Sequence, residues 1–197
     1  MRLPFSLKKI NKRFGELTGK ILHTKYKQVR LMFQDEAAFG RISTPKRCWA
    51  PKGIRPITPR HHVREYRYAY GAVDPKAGDS FYLVLPYANT ICMNIYLDGL
   101  SKAFPDDMLL VVMDKASWHT TQKLSIPDNI ELFFLPAATP ELNPKEQVWK
   151  FIRNRGFKNE AFATLEKVVD RLCETIVSLA KDEIKSIVGR DWILSMF

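Results

Sequence analysis

Apolar and polar side chains alternate along this chain in a way that marks out its elements before any chemistry is considered. Ile10, Phe14, Leu17 and Ile21 recur at helical spacing within a basic stretch and predict a short amphipathic helix. Gln28 to Gln34 reads as a buried strand that ends at Asp35-Glu36. Tyr66–Val73 and Ser80–Leu85 alternate as two strands, joined by the turn Asp74-Pro-Lys-Ala-Gly-Asp79. From Thr90 to Phe104 the chain predicts a helix, capped by Thr90, stopped by Pro105, and apolar along Ile91, Ile95, Leu97, Leu100 and Phe104. Leu109–Met113 is an unbroken apolar run, as in a central strand covered on both sides, and it ends at Asp114. A short helical stretch is expected after Trp118-His119, then a buried strand from Ile130 to Leu135.

Asn143 next offers an N-cap, Pro144 fits the first helical position, and Glu146 falls at the third. Val148, Trp149, Phe151 and Ile152 form that helix's apolar face, while Lys150, Arg153 and Arg155 stay polar. Thr164 caps a long helix through Leu165, Val168, Val169, Leu172, Ile176 and Leu179, and Asp182–Val188 makes a last one ending at Gly189. Three strands followed by alternating helices and strands predict an α/β fold, a mixed five-stranded sheet with helices on both faces. Right-handed crossovers set the later, parallel strands beside the first one.

At 197 residues the chain is long enough for one well-buried core, which we expect over residues 28–197, with 1–27 as a basic arm or linker. A composition of 46% hydrophobic and 12% aromatic residues is that of a globular protein. No apolar run reaches a membrane span, and the N-terminus lacks the apolar block of a secretory signal. Cys48, Cys92 and Cys173 are odd in number and far apart, which fits reduced thiols in a cytoplasmic protein. The charge is uneven. Residues 1–67 hold 17 Lys and Arg against 4 Asp and Glu; residues 68–197 hold 14 against 17. That surplus in the first third points to a polyanion partner, nucleic acid before membrane, since no strongly apolar face accompanies it. Much of it lies in the proline-rich segment Arg41–Arg64, too long for a tight turn. Trp49 in that segment either stacks on a base or sugar or anchors the loop to the core.

Asp35 and Asp114 end strands that this topology makes neighbours, and Glu146 on the following helix can point back to them. A capping box is the plainer role for Glu146. Three carboxylates brought together repel one another unless a divalent cation intervenes, and hard oxygen donors suit Mg²⁺ or Mn²⁺. Two such ions about 3.5–4 Å apart serve phosphoryl transfer, which also fits the basic first third.

Phe33-Gln-Asp-Glu-Ala-Ala-Phe-Gly40, Arg47-Cys-Trp-Ala-Pro-Lys-Gly53, Val111-Val-Met-Asp-Lys-Ala-Ser-Trp-His119 and Leu135-Pro-Ala-Ala-Thr-Pro-Glu-Leu-Asn-Pro-Lys-Glu-Gln-Val-Trp149 together resemble the catalytic domain of DDE transposases. The closest branch is the mariner-like six-thirty family of bacterial insertion sequences, and the resemblance runs from about Val29 to Arg155. It implies a ribonuclease-H-like fold and a metal-binding, catalytic triad of Asp35, Asp114 and Glu146, with 31 residues between the last two. It implies Mg²⁺ or Mn²⁺, two ions, as cofactor. It also implies cleavage of a DNA strand at a transposon end by a metal-activated water, then attack of the freed 3′-hydroxyl on target DNA. A homodimer on DNA, clamped in part by the loop, and a cytoplasmic, nucleoid-associated setting follow from the same likeness. So do DNA contacts from Arg41, Lys46, Arg47, Trp49, Lys52, Arg55, Arg60, Lys145 and Lys150.

Residues 1–28 leave no room for the helix-turn-helix region such proteins usually carry. The chain is therefore expected to be a catalytic half, served by a separate helix-turn-helix subunit, or a remnant, or a trimmed chain. Lys115 stands where an amide is often found. Glu36 and Asp35 point to opposite faces of an extended strand, so one of them is a ligand, and the resemblance favours Asp35. His119 and Glu36 are read as supporting residues, Asn143 as a cap, Trp149 as core, and His61 and His62 as solvated or on DNA. The alternatives are another ribonuclease-H-like nuclease, which cuts without joining, and an inactive DNA-binding remnant.

Overall fold

The structure is a computed structural model that describes residues 5–42, 45–59, 62–136, 139, 142–195 and 197, with the side chains of residues 5–7 left out. Its elements run α1 (Phe5–Lys20), a 3₁₀ turn (Ile21–His23), β1 (Gln28–Gly40), β2 (Tyr66–Val73), β3 (Ser80–Leu85), α2 (Thr90–Ala103), β4 (Asp107–Met113), β5 (Ile130–Phe134), α3 (Lys145–Gly156), α4 (Leu165–Val177), α5 (Lys181–Val188) and α6 (Asp191–Leu194). The five strands form one sheet in the order β3-β2-β1-β4-β5. β1 pairs antiparallel with β2 and parallel with β4, and β5 continues the parallel side. This is the expected mixed sheet.

Period-two alternation sends successive strand residues to two separate cores. Leu31, Phe33, Ala37, Phe39, Leu110 and Val112 join Val148, Trp149 and Ile152 of α3 and the apolar stripes of α1, α4 and α5 on one face. Met32, Tyr70, Ala72, Val111 and Met113 pack against Met93, Tyr96, Leu97 and Leu100 of α2 on the other. The stretch read as an arm or linker lies on the first of these faces. Ile10 and Phe14 are buried in its core, and the Arg13 guanidinium grips both carboxylate oxygens of Glu131 on β5.

Several local expectations change. The first strand does not stop at Gln34 but runs on to Gly40, because β2 keeps pairing with it as far as Gly40↔Tyr66. Asp35 and Glu36 therefore sit inside a strand. The cap of α2 is Asn89, whose side chain accepts the Cys92 N–H, and not Thr90. That helix buries Cys92, Met93 and Tyr96 beside the expected Leu97 and Leu100, while Ile91 and Ile95 face outward, so two of the five predicted positions are wrong. Turns, and no helix, follow His119. Thr164 caps α4 as expected, accepting from the Lys167 N–H. No helix among the described residues is long and apolar enough to cross a membrane.

Candidate active site

The parallel pairing of β1 with β4 ends at Phe33↔Val112. Asp35 and Asp114 each lie two residues past that pair, so strand register alone brings two acids from distant parts of the chain to one level of the sheet. The carbonyl of Gln34, left without a β4 partner, accepts the Asn143 side-chain N–H at 2.8 Å. Asn143 Oδ1 in turn accepts the Lys145 backbone N–H at 3.1 Å. One buried amide thus ties the end of the β1–β4 seam to the first turn of α3. Asn143 binds a helix-start N–H as a cap would, but α3 begins at Lys145 with Pro144 in the cap position, one residue later than expected.

Asp35 projects to the α3 side, where the indole Trp149 Nε1–H donates to its Oδ2 at 3.0 Å. Burial, then the nearby carboxylates of Glu146 and Glu36, push its pKa up to about 7, with Lys145 pulling slightly the other way. Glu146, in the first turn of α3, is exposed, and its side chain makes no hydrogen bond back to the cap among the described residues. The capping-box role is not realised. The carboxylate lies close enough to Asp35 to oppose its ionisation.

Lys145 was expected on DNA. It is 0% exposed, with Nζ 3.8 Å from the Tyr82 ring centroid and 3.9 Å from that of Trp149, and Nζ has no hydrogen-bond partner among the described residues. The reason is space beneath it. Gly71 on β2 leaves room, and a Cβ there would meet Nζ at 2.6 Å. Burial drives the Lys145 pKa far down, against the pull of Asp35.

Glu36 points to the α2 side, as alternation requires. Its Oε1 lies 2.8 Å from Nε2 of His119, a side chain only 1% exposed. His119 Nδ1 lies 2.9 Å from Asp114 Oδ1 and 3.2 Å from the Asp114 carbonyl. Burial alone would lower the His119 pKa, but hydrogen bonding and charge from Glu36 and Asp114 outweigh it and raise it. Asp114 Oδ1 also accepts the Ala116 N–H at 2.9 Å, while its side chain stays 59% exposed. Among the described residues no three His, Cys, Asp or Glu side chains converge closely enough to hold a metal ion as they stand.

A profile of the DDE superfamily endonucleases matches residues 30–169, which contain all three acids. This chain belongs to that superfamily. It is 38% identical over 130 residues to the uncharacterized protein y4pE/y4sA of Sinorhizobium fredii (strain NBRC 101917 / NGR234), a match covering 64% of this chain and 96% of that one. Among solved structures, the Mos1 transposase paired-end complex with left transposon end superposes with a TM-score of 0.63 at 15% identity. All of this chain is covered, against 64% of that one. The isolated catalytic domain of Mos1 mariner transposase gives a TM-score of 0.59 at 12% identity, covering 100% of this chain and 96% of that domain. At such identities the likeness is one of fold: this DDE domain has the ribonuclease-H-like sheet of a mariner transposase catalytic domain.

The basic residues divide into two groups. Arg41 is engaged with the Phe162 carbonyl and Glu65, and Lys46 with Asn154 and Asn159, so both fasten the segment that leaves β1. Arg47, Trp49, Lys52 and Arg55 lie exposed on an irregular stretch, as Lys150 does on α3. At 103% exposure Trp49 does not anchor the loop to the core. His62 is exposed, while Arg60 and His61 lie outside the described residues. Sequence reasoning missed that Trp149, three residues after Glu146 and so on the same helix face, holds Asp35 as well as filling the core.

Proposed function

We propose that this DDE domain is the catalytic part of a transposase, which cuts one DNA strand at a transposon end and joins the freed 3′-hydroxyl to target DNA. Asp35, Asp114 and Glu146 would hold Mg²⁺ or Mn²⁺. The observation that carries this reading is Asp35 itself. Its ionisation is resisted by burial and by two neighbouring carboxylates, a conflict that a divalent cation resolves. The donor set fits in kind, all hard oxygens; Asp114 keeps an open carboxylate oxygen, and Glu146 is exposed enough to reorient. Solved Mos1 paired-end complexes contain Mg or Mn. When bound, a pair of such ions supplies activation of the attacking oxygen and stabilisation of the leaving one.

The protein's own part is positional. Trp149 holds one Asp35 oxygen, Asn143 fixes α3 against β1, and the first turn of α3 presents Glu146. In this reading the exposed Arg47, Trp49, Lys52, Arg55 and Lys150 would meet phosphates and bases, and neutralising phosphates would make binding salt-dependent. From the resemblance to mariner-like transposases we further propose a dimer on DNA, with end recognition supplied by a separate helix-turn-helix region and action in the bacterial cytoplasm at the nucleoid.

The test is nicking and joining of end-bearing duplexes with Mg²⁺ or Mn²⁺, using the parent chain and Asp35→Asn, Asp114→Asn and Glu146→Gln. Loss of both steps in all three variants supports the assignment; nicking without joining points to a plain ribonuclease-H-like nuclease. A non-catalytic DNA-binding chain is the second reading, favoured by the lack of a ready three-ligand cluster among the described residues. It predicts salt-sensitive DNA binding that none of the three changes alters.

A further inference from the structure

We propose that Glu36 and His119 form a strut that fixes the position of Asp114, which makes both of them positioning residues and neither a metal ligand; this rests on the metal-site reading above. Sheet pairing cannot hold Asp114, because β4 ends at Met113. What holds it is a closed turn. The His119 N–H donates to the Ala116 carbonyl at 2.9 Å, and Asp114 Oδ1 takes the Ala116 N–H, so residues 114–119 curl around the imidazole. The ring then reaches across to β1, with Nδ1 on Asp114 and Nε2 on Glu36.

Adjacent strand residues face opposite ways, so Asp35 and Glu36 split two tasks between them. Asp35 presents its carboxylate toward Glu146, while Glu36, one peptide away, references the second acid to the same rigid strand. Burial follows the same division. The Glu36 and His119 side chains are nearly closed to solvent, whereas the Asp114 carboxylate is open to it. A buried carboxylate–imidazole pair is costly to desolvate, and here the bonds of His119 to Glu36 and to Asp114 offset that cost. The strut takes Asp114 by Oδ1, and Oδ2 has no hydrogen bond among the described residues.

The test uses the full 197-residue chain and reads Mn²⁺ affinity by calorimetry beside the Mn²⁺ dependence of strand nicking. Glu36→Gln keeps the side-chain volume; His119→Asn keeps a donor near the Nδ1 position, and His119→Ala keeps none. The expected result is a roughly 10- to 100-fold loss of Mn²⁺ affinity in Glu36→Gln, which keeps an acceptor oxygen but loses the charge paired with the imidazole, and in His119→Ala, the usual effect of altering a partner behind a metal ligand. Nicking at saturating Mn²⁺ should stay close to the parent, and His119→Asn should bind Mn²⁺ better than His119→Ala. Thermal unfolding confirms that each variant folds, and Glu36→Gln alone decides the matter if the His119 changes do not. Parental Mn²⁺ affinity in folded Glu36→Gln overturns the strut. So does a loss as complete as in Asp35→Asn, which would make Glu36 a ligand. If Asp35→Asn and Asp114→Asn also leave Mn²⁺ affinity untouched, the metal-site reading fails first and takes the strut with it.

Discussion

Asp35→Asn should stabilise this protein at alkaline pH, although it removes the residue assigned to the centre of the chemistry. The folded chain holds the Asp35 proton up to about pH 7, against an ordinary value of 3.8. A folded-state pKa above the unfolded one means that the native state binds the proton more tightly. Its favourable contribution is full below about pH 4 and is lost as pH rises through about 7. Three pKa units correspond to a ceiling of about 4 kcal/mol, and partial exposure of the carboxylate should reduce the realised penalty to about 2 kcal/mol. Asparagine removes the charge and keeps an oxygen for the Trp149 indole N–H. The assay is urea unfolding followed by tryptophan fluorescence, without divalent metal, from pH 4 to pH 8. The variant should exceed the parent by about 2 kcal/mol at pH 8, with the gap closing toward about pH 4. Adding Mn²⁺ at pH 8 should then recover stability in the parent and not in the variant. A gap that does not change with pH, or a variant weaker than the parent at pH 8, would refute the account of Asp35 as a strained, repelled carboxylate.

Gly71→Ala should cost about 2 kcal/mol, because the new methyl meets both Lys145 Nζ and Tyr82 Cδ1, and adding Lys145→Ala should recover about half in a double-mutant cycle of unfolding energies. Arg30→Met should lower stability by about 3 kcal/mol, read by urea or heat, since Arg30 at the far end of β1 bonds Asp74, Asp79 and Asp107 and its loss strands their charges. Replacing Arg47, Lys52 and Arg55 together by alanine should leave the melting temperature unchanged. The slope of log K for DNA against log salt should drop by about 1 for each phosphate that is no longer neutralised. An unchanged slope would remove this segment from the DNA interface.

The strands and their order were legible because period-two alternation is a local signal, and β2 and β3 match their expected spans residue for residue. The length of β1 was not legible. Asp-Glu reads as a stop when only local propensity is considered, and the antiparallel partner that carries the strand onward lies well downstream in sequence. The first turns of α2 were misjudged for a related reason, while Leu97 and Leu100 are buried as expected. Isoleucines at 91 and 95 look like core, yet the sheet beneath selects Tyr96 to stack near Tyr70 and Phe81. At the site, residue types marked Asp35, Asp114 and Glu146 for attention. Lys145 misled, since a lysine on a polar helix turn signals a surface unless the empty space above Gly71 is known. The Glu36–His119–Asp114 bridge depends wholly on tertiary contact.

The seam where β4 parts from β1 has a bearing on how this chain tolerates change. Lengths of connecting loops can drift, since neither acid is measured from a loop. A single residue inserted between Leu31 and Gln34 is another matter: it would rotate Asp35 onto the α2 face and leave Gln34 facing Trp149 in its stead. Drift in this domain should therefore gather in its loops and stop at the edges of β1.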